Sequence, residues 1–208
     1  MQNNNLTIVG TLNNITAYRE FDTPKHTLYK GTVSTTRLSG KVDEIPCLID
    51  DIRVPVDALD FTATYIIDGE LRTRLEVSDD KRHNRVYIHI TAVTPYLKGL
   101  VPDSINVTTN IVSVTGRLCS VPDYCEKSNG RRVSTVIVRV EGRQDRHYYI
   151  PCVLWGENAT SISKLNKYDQ VVIRGRIQQR DYIKADGDKF QHGIAYELSV
   201  QEYKVVCE

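Results

Sequence analysis

The chain has 208 residues, with 27 Lys and Arg against 26 Asp and Glu for a formal net charge of +1, so overall charge selects no class of partner. Val (23), Ile (18) and Thr (18) account for 59 residues, a β-branched load whose stiff side chains favour a pleated surface and predict a mostly-β protein. No apolar run approaches the ~20 residues of a membrane span, and the start MQNNNLTIVG lacks the basic and apolar stretches of a secretory signal, which predicts a cytoplasmic protein.

Taken in chain order, the elements repeat. Asn5–Leu12 (NLTIVGTL) reads as a strand bearing Gly10, and it returns as Ile111–Leu118 (IVSVTGRL) with Gly116, 106 residues later. Ile45-Pro46-Cys47 returns as Ile150-Pro151-Cys152 at an offset of 105, and Gly69 and Arg74 return as Gly175 and Arg180 at 106. Four anchors holding nearly one offset indicate an internal duplication. Two homologous domains follow, 1–104 and 105–208, joined at the turn-forming stretch Lys98–Ser104.

The second half shows the elements most clearly. A long first strand over 107–121 carries Gly116, which marks a bend or bulge. Asn129-Gly130 is a turn signal before an alternating strand, Val133–Val140. Tyr148–Trp155 is the third strand, and Glu157–Leu165 has Ala159, Ile162 and Leu165 at helical spacing. Gln170–Tyr182 and Phe190–Val205 form a hairpin across Ala185–Asp188. Five strands and one short helix in each half predict an all-β fold of two tandem five-stranded OB-fold barrels, with a small β-sandwich as the alternative.

Little in the chain points to catalysis. The five cysteines (Cys47, Cys119, Cys125, Cys152 and Cys207) are odd in number and form no C-x-x-C pair. They therefore read as free thiols, not as a disulfide framework or a structural zinc site. The acidic pairs Asp50-Asp51 and Asp79-Asp80 flank a short helix or sit in a hairpin loop beside Lys81-Arg82, and the five histidines are scattered. No glycine-rich phosphate loop is present. The expectation is binding without turnover, with no catalytic residue, metal or cofactor.

Strand alternation picks out the binding candidates. Tyr149, Pro151, Val153 and Trp155 share one side of the third strand, and Ile150, Cys152 and Leu154 share the other. The aliphatic side suits a barrel core, which turns the two aromatics outward, while Tyr148 points inward. Outward aromatics are costly unless a partner covers them.

The run Tyr149–Ala159 (YIPCVLWGENA), then Gly175–Tyr182 (GRIQQRDY) and Tyr196-Glu197-Leu198, resembles the bacterial single-stranded-DNA-binding protein family in its tandem OB-fold branch. The likeness is specific over 107–204. It is weaker in the first half, where Arg37–Gly40, Ile45-Pro46 and Gly69–Arg74 fit the scaffold. It implies a bacterial or phage protein, nucleoid-associated, that binds single-stranded DNA without strong sequence preference in replication, recombination or repair. It places base stacking on Tyr149, Trp155 and Tyr182. Phosphates then fall to the neighbouring cations Arg131, Arg132, Arg139, Arg143, Arg174, Arg176, Arg180 and Lys184. Parity puts Arg174, Arg176, Gln178, Arg180 and Tyr182 on one face, and the loops 120–131 and 183–191 are expected to close over the strand.

Carried across the duplication, these positions change sign. Tyr149, Trp155 and Tyr182 become Glu44, Asp50 and Glu76, and Arg174 and Arg176 become Asp68 and Glu70. Carboxylates repel phosphates and offer no π-face, so the first domain reads as an assembly or spacer module. Residues 106–208 hold 15 basic and 12 acidic side chains, while 1–105 hold 12 and 14. A homo-oligomer is expected, a dimer in particular, with neither membrane nor small-molecule substrate. Many family members end in an acidic tail; the residues after the last strand here, Val206-Cys207-Glu208, do not resemble one, so recruitment of partners by that route is not expected. An RNA-binding OB protein and a protein-interaction module, such as a primosome or replication accessory, are the competing readings.

Overall fold

A computed structural model describes residues 3–78, 81–186 and 189–206, leaving aside the side chains of 77–78, 81–83, 184–186 and 189–191. The chain divides into two compact units, Met1–Arg72 with Tyr87–Ser113 and Thr73–Val86 with Val114–Glu208. No helix among the described residues is long and apolar enough to cross a membrane.

The first-half strands are β1 (Asn4–Asp22), β2 (Lys25–Thr36), β3 (Val42–Asp50), β4 (Tyr65–Ser78) and β5 (Lys81–Pro95). They run in the order β1-β2-β3-β5-β4 and close on β1, antiparallel in β1–β2, β1–β4 and β2–β3 and parallel in β3–β5. Leu6, Ile8, Leu12, Ile45, Ile49, Ile67 and Ile88 fill the interior. Beyond Leu12 the β1–β2 pair continues as an uncovered ribbon, near whose end Phe21 stacks on its cross-strand partner His26 with centroids 4.4 Å apart.

The second half repeats the plan with β6 (Asn110–Leu118), β7 (Asp123–Glu126), β8 (Arg132–Glu141), β9 (His147–Trp155), α1 (Gly156–Ile162), β10 (Gln170–Asp186) and β11 (Lys189–Val205). The closed order is β6-β8-β9-β11-β10, back to β6, with β7 added at the outer edge of β8. Val114, Leu118, Val138, Ile150, Leu154, Ile173, Ile177 and Leu198 are its sealed core. Strand pairings thus follow the five-stranded barrel order expected of both halves.

Two glycine positions recur where strands approach most closely. A methyl group at Gly10 would fall on the carbonyl oxygen of Ser34, and one at Gly116 on that of Arg139. Likewise Gly69 faces the His89 carbonyl and Gly175 that of Ser199. Only a residue without Cβ lets these backbones touch, so the sharp bends needed to close a small barrel fix glycine at both places in each copy.

Several elements differ from the sequence expectation, and the long first strand expected over 107–121 spans only Asn110–Leu118. Among the described residues the first half has no α-helix, only a 3₁₀ turn at Val56–Ala58. There Pro55 lacks an N–H and restricts the residue before it, and Ile52, Val54 and Val56 are β-branched. The helix of the second half begins at Gly156 and ends at Ile162, burying Ala159 and Ile162. Finally, the segment expected as a loop over 120–131 contains the short strand β7, paired with β8 from Asp123↔Thr135 to Glu126↔Arg132.

The glycine contacts set a test. Gly116→Ala and Gly175→Ala should each destabilise the chain by about 1–3 kcal/mol in urea denaturation, the usual cost of forcing a methyl into a packed site. Gly130 has φ +73 and open space around its Cβ direction, so Gly130→Asn should stay within about 0.5 kcal/mol, because Asn tolerates that conformation.

Candidate nucleic-acid interface

The site is built on β9. The strand is paired on both sides, antiparallel to β8 and parallel to β11. Ile150, Cys152 and Leu154 point into the core, and Tyr148 is buried with them. Tyr149 and Trp155 stand on the other side at 39 % and 47 % exposure, which turns both rings outward. They are six positions apart, or about 20 Å along a strand. Val153 departs from the parity reading, being only 4 % exposed; it lies mid-strand between Thr135 of β8 and Ser199 of β11.

Register supplies the neighbours. Across β8–β9 the partners are Val133↔Trp155, Ile137↔Pro151 and Arg139↔Tyr149. Arg139 is in turn opposite Arg117 on β6, so Arg117, Arg139 and Tyr149 form one transverse row. A second row runs Cys125, Val133, Trp155 across β7, β8 and β9. Ile137, at 45 % exposure and opposite Pro151, adds an apolar side chain between these two rows. Neither Ile137 nor Arg117 was singled out from the sequence, although both follow once the alternation of β9 is extended across its partners. The Tyr149 backbone N–H donates to Thr73 Oγ1 at 3.1 Å, within the second unit.

On β10, Tyr182 is 38 % exposed and lies opposite Gly193. A side chain at position 193 would collide with the Tyr182 ring, so this glycine leaves the ring free to lie across β11. Arg176 is opposite Ser199, itself beside Val153, which brings β10 into the same outward surface as β9.

The cations sort by their partners. Arg132 is engaged by Glu157 Oε1 at 2.5 Å and Thr160 Oγ1 at 3.1 Å, clamping α1 to β8. Arg174 Nη1 donates to Glu202 at 3.1 Å with both side chains well exposed. Arg139 lies 4.0 Å from Glu141. Arg180 Nε donates to both oxygens of Glu197 at 3.0 and 2.9 Å. Arg131 and Arg143 are exposed in the turns before β8 and after it; the segment expected as a loop over 183–191 is instead paired strand as far as Asp186↔Lys189, and the side chains of 184–191, Lys184 among them, lie outside the described residues. Among the described residues no group of three His, Cys, Asp or Glu side chains converges as a metal site. Burial pushes the Cys47 thiol up to about 12 and raises that of Cys152, so both stay protonated and unreactive near neutral pH.

The same surface in the first half carries carboxylates that have partners of their own. Ser34↔Glu44 and Leu28↔Asp50 lie 105 residues before Arg139↔Tyr149 and Val133↔Trp155. The carboxylates therefore occupy the backbone positions of the rings. Asp68 accepts from Thr7 Oγ1 at 2.6 Å, Glu70 from Arg72 at 2.9 Å and Glu76 from Arg85 at 3.2 Å, while Asp50 lies 3.9 Å from His26 Nε2. In the place of the Val153↔Ser199 pair stands Leu48↔His89. His89 is 9 % exposed, and its Nδ1 finds no partner among the described residues.

Residues 109–206 match the model of the single-strand binding protein family. A curated relative, the single-stranded DNA-binding protein of Malacoplasma penetrans strain HF-2, is 32 % identical over 81 residues, covering 38 % of this chain. The match spans 43 % of that relative's length. Two crystal structures of the single-stranded DNA binding protein from Thermus aquaticus share the architecture across 99 % of the chain. The wild type matches with a TM-score of 0.73 at 18 % identity over 93 % of its own length, and a deletion variant with 0.70 at 20 % over 95 %. At that identity the likeness is one of fold, and it covers both barrels.

His89 gives a measurable signature. Burial, followed by the Arg72 guanidinium, holds its pKa down to about 4 from 6.5 against the opposing pull of Glu70. The unfolded chain takes up the proton first, so the stability tied to neutral His89 is complete above pH 6.5 and is lost as pH falls toward 4. Between pH 7.5 and 5 the unmodified chain should lose about 2 kcal/mol more in urea unfolding than His89→Leu; parallel curves for the two would refute that assignment. The duplicated register and the match at 109–206 lead to one conclusion: the second barrel is similar over nearly its whole length to the single-strand binding protein family, and it shares its chain with a first barrel of the same fold.

Proposed function

We propose that this chain binds single-stranded DNA without strong sequence preference, through the barrel of residues 105–208. The observation that carries the reading is the outward surface of β8–β11, where three partly exposed rings, Tyr149, Trp155 and Tyr182, stand among arginines in a domain similar to the single-strand binding protein family. Rings of this kind accept any base, because every base has a π-face, and guanidinium groups take the phosphates between them. Arg131, Arg139, Arg143, Arg174, Arg176 and Arg180 form the phosphate track, with Lys184 at its hairpin end. Arg132 contributes through the helix it holds.

In this reading the barrel of residues 1–104 serves assembly or spacing, since its equivalent surface carries internally paired carboxylates. A homodimer would bring four barrels together. The work is binding in DNA replication, recombination or repair in the cytoplasm, without turnover.

Trp155 is the only tryptophan, so its fluorescence reports directly. Adding a dT oligonucleotide to the intact chain should quench it. Trp155→Ala should weaken binding about 5–150-fold, the equivalent of ~1–3 kcal/mol for one stacked base. The affinity should fall with salt, and Arg143→Ala should lower the slope of log K against log salt by about 0.7, one phosphate contact on a single strand. Undiminished binding by Trp155→Ala, anisotropy being the readout, would overturn the assignment of the site.

A further inference from the structure

The interface contains an acid that its chemistry does not call for. Glu197 lies on β11 opposite Gln178, two residues from Ser199, the neighbour of Val153. Alternation therefore places its side chain on the surface that carries Tyr149 and Trp155. It is nearly sealed, with 7 % of the side chain exposed, and it is fully engaged. Both carboxylate oxygens accept from Arg180 Nε, and Oε1 also accepts from Gln178 Nε2 at 3.2 Å. Gln178 Oε1 in turn lies 3.5 Å from Arg176 Nη2, and the Arg176 Nε is buried without a partner among the described residues. Four side chains thus form a line along β10 and β11 with one negative charge beneath it.

Position decides what that charge does. Arg180 is half exposed while Glu197 is covered, so an arriving phosphate meets the guanidinium first and the carboxylate behind it. A phosphate at ~4 Å from the guanidinium stands at ~7 Å from the carboxylate, and because Coulomb energy falls as the inverse of distance, the acid cancels roughly half of the attraction. It also holds the guanidinium edge-on through charge-assisted bonds. We propose that Glu197 is a built-in attenuator of single-strand affinity: it fixes the orientation of Arg180 and, by partly neutralising it, lowers the grip of the second barrel so that a bound strand is released more readily. This inference rests on the single-strand reading above and adds to it a residue that sets the strength of binding.

The test uses the intact chain, a dT oligonucleotide and Trp155 quenching over a series of salt concentrations. Glu197→Gln keeps an acceptor for Arg180 and removes the charge. Its affinity should rise about 3–10-fold at low salt, and its salt slope should steepen by about 0.7, as one more effective cation requires. A purely structural role for Glu197 would leave the slope where it is. A second comparison covers any loss of folding in that variant. Arg180→Gln exposes the carboxylate and should weaken binding more than tenfold, and adding Glu197→Gln to it should recover more than tenfold, beyond the gain that Glu197→Gln gives alone. An unchanged slope in Glu197→Gln, or independent effects in the double variant, overturns the attenuator while leaving single-strand binding intact. If the unmodified chain does not bind the oligonucleotide, the single-strand reading fails, and the attenuator fails with it.

Discussion

Strand β9 is held between β8 and β11, and that double pairing leaves its register no freedom. Side chains alternate with a period of two, so a slip of one residue would drive Tyr149 and Trp155 into the core and expose Ile150, Cys152 and Leu154. The sealed aliphatic side decides the question, since each buried Ile or Leu stabilises the native register by roughly 1.5–3 kcal/mol. The exposed indole is therefore a by-product of where its neighbours must go. Everything on the outward surface, including the transverse row of Arg117, Arg139 and Tyr149, is placed by the same pairing.

The two barrels separate skeleton from chemistry. Glycine meets a carbonyl at the same two bends in each, and the cross-strand partners repeat residue for residue through β2–β3 and β8–β9. Onto this common backbone one copy places rings and guanidinium groups, the other carboxylates that find their partners locally. A barrel is closed by its interior and its bends, so its exterior can change sign without disturbing the fold. Arg72 beside Glu70 and Arg180 beside Glu197 show the two outcomes side by side. In one the acid stands where the second copy has Arg176, and in the other it lies beneath an arginine.

Much of this was legible from the residues. The repeat, the succession of strands along the chain and the direction of Trp155 follow from fixed offsets and alternation, which are local properties. What escaped depends on neighbours distant in sequence. Val153 has the parity of an outward residue, yet its place between Thr135 and Ser199 leaves it covered. Ile137 acquires its role only as the partner of Pro151. Counting arginines cannot reveal that Arg132 is taken by Glu157 or Arg180 by Glu197, because those pairs form 25 and 17 residues apart. The missing helix of the first half was readable in Pro55, but the duplication invited the opposite expectation.

Thiol accessibility turns one of these rows to practical use. Cys47 and Cys152 are sealed, while Cys125 on β7 is exposed and lies in line with Trp155 through Val133, two strand spacings or about 10 Å away. A maleimide dye attached there would stand beside the indole without touching the core. The chain thus carries a native donor and a native anchoring point for an acceptor, a ready-made energy-transfer ruler for whatever comes to lie across β8.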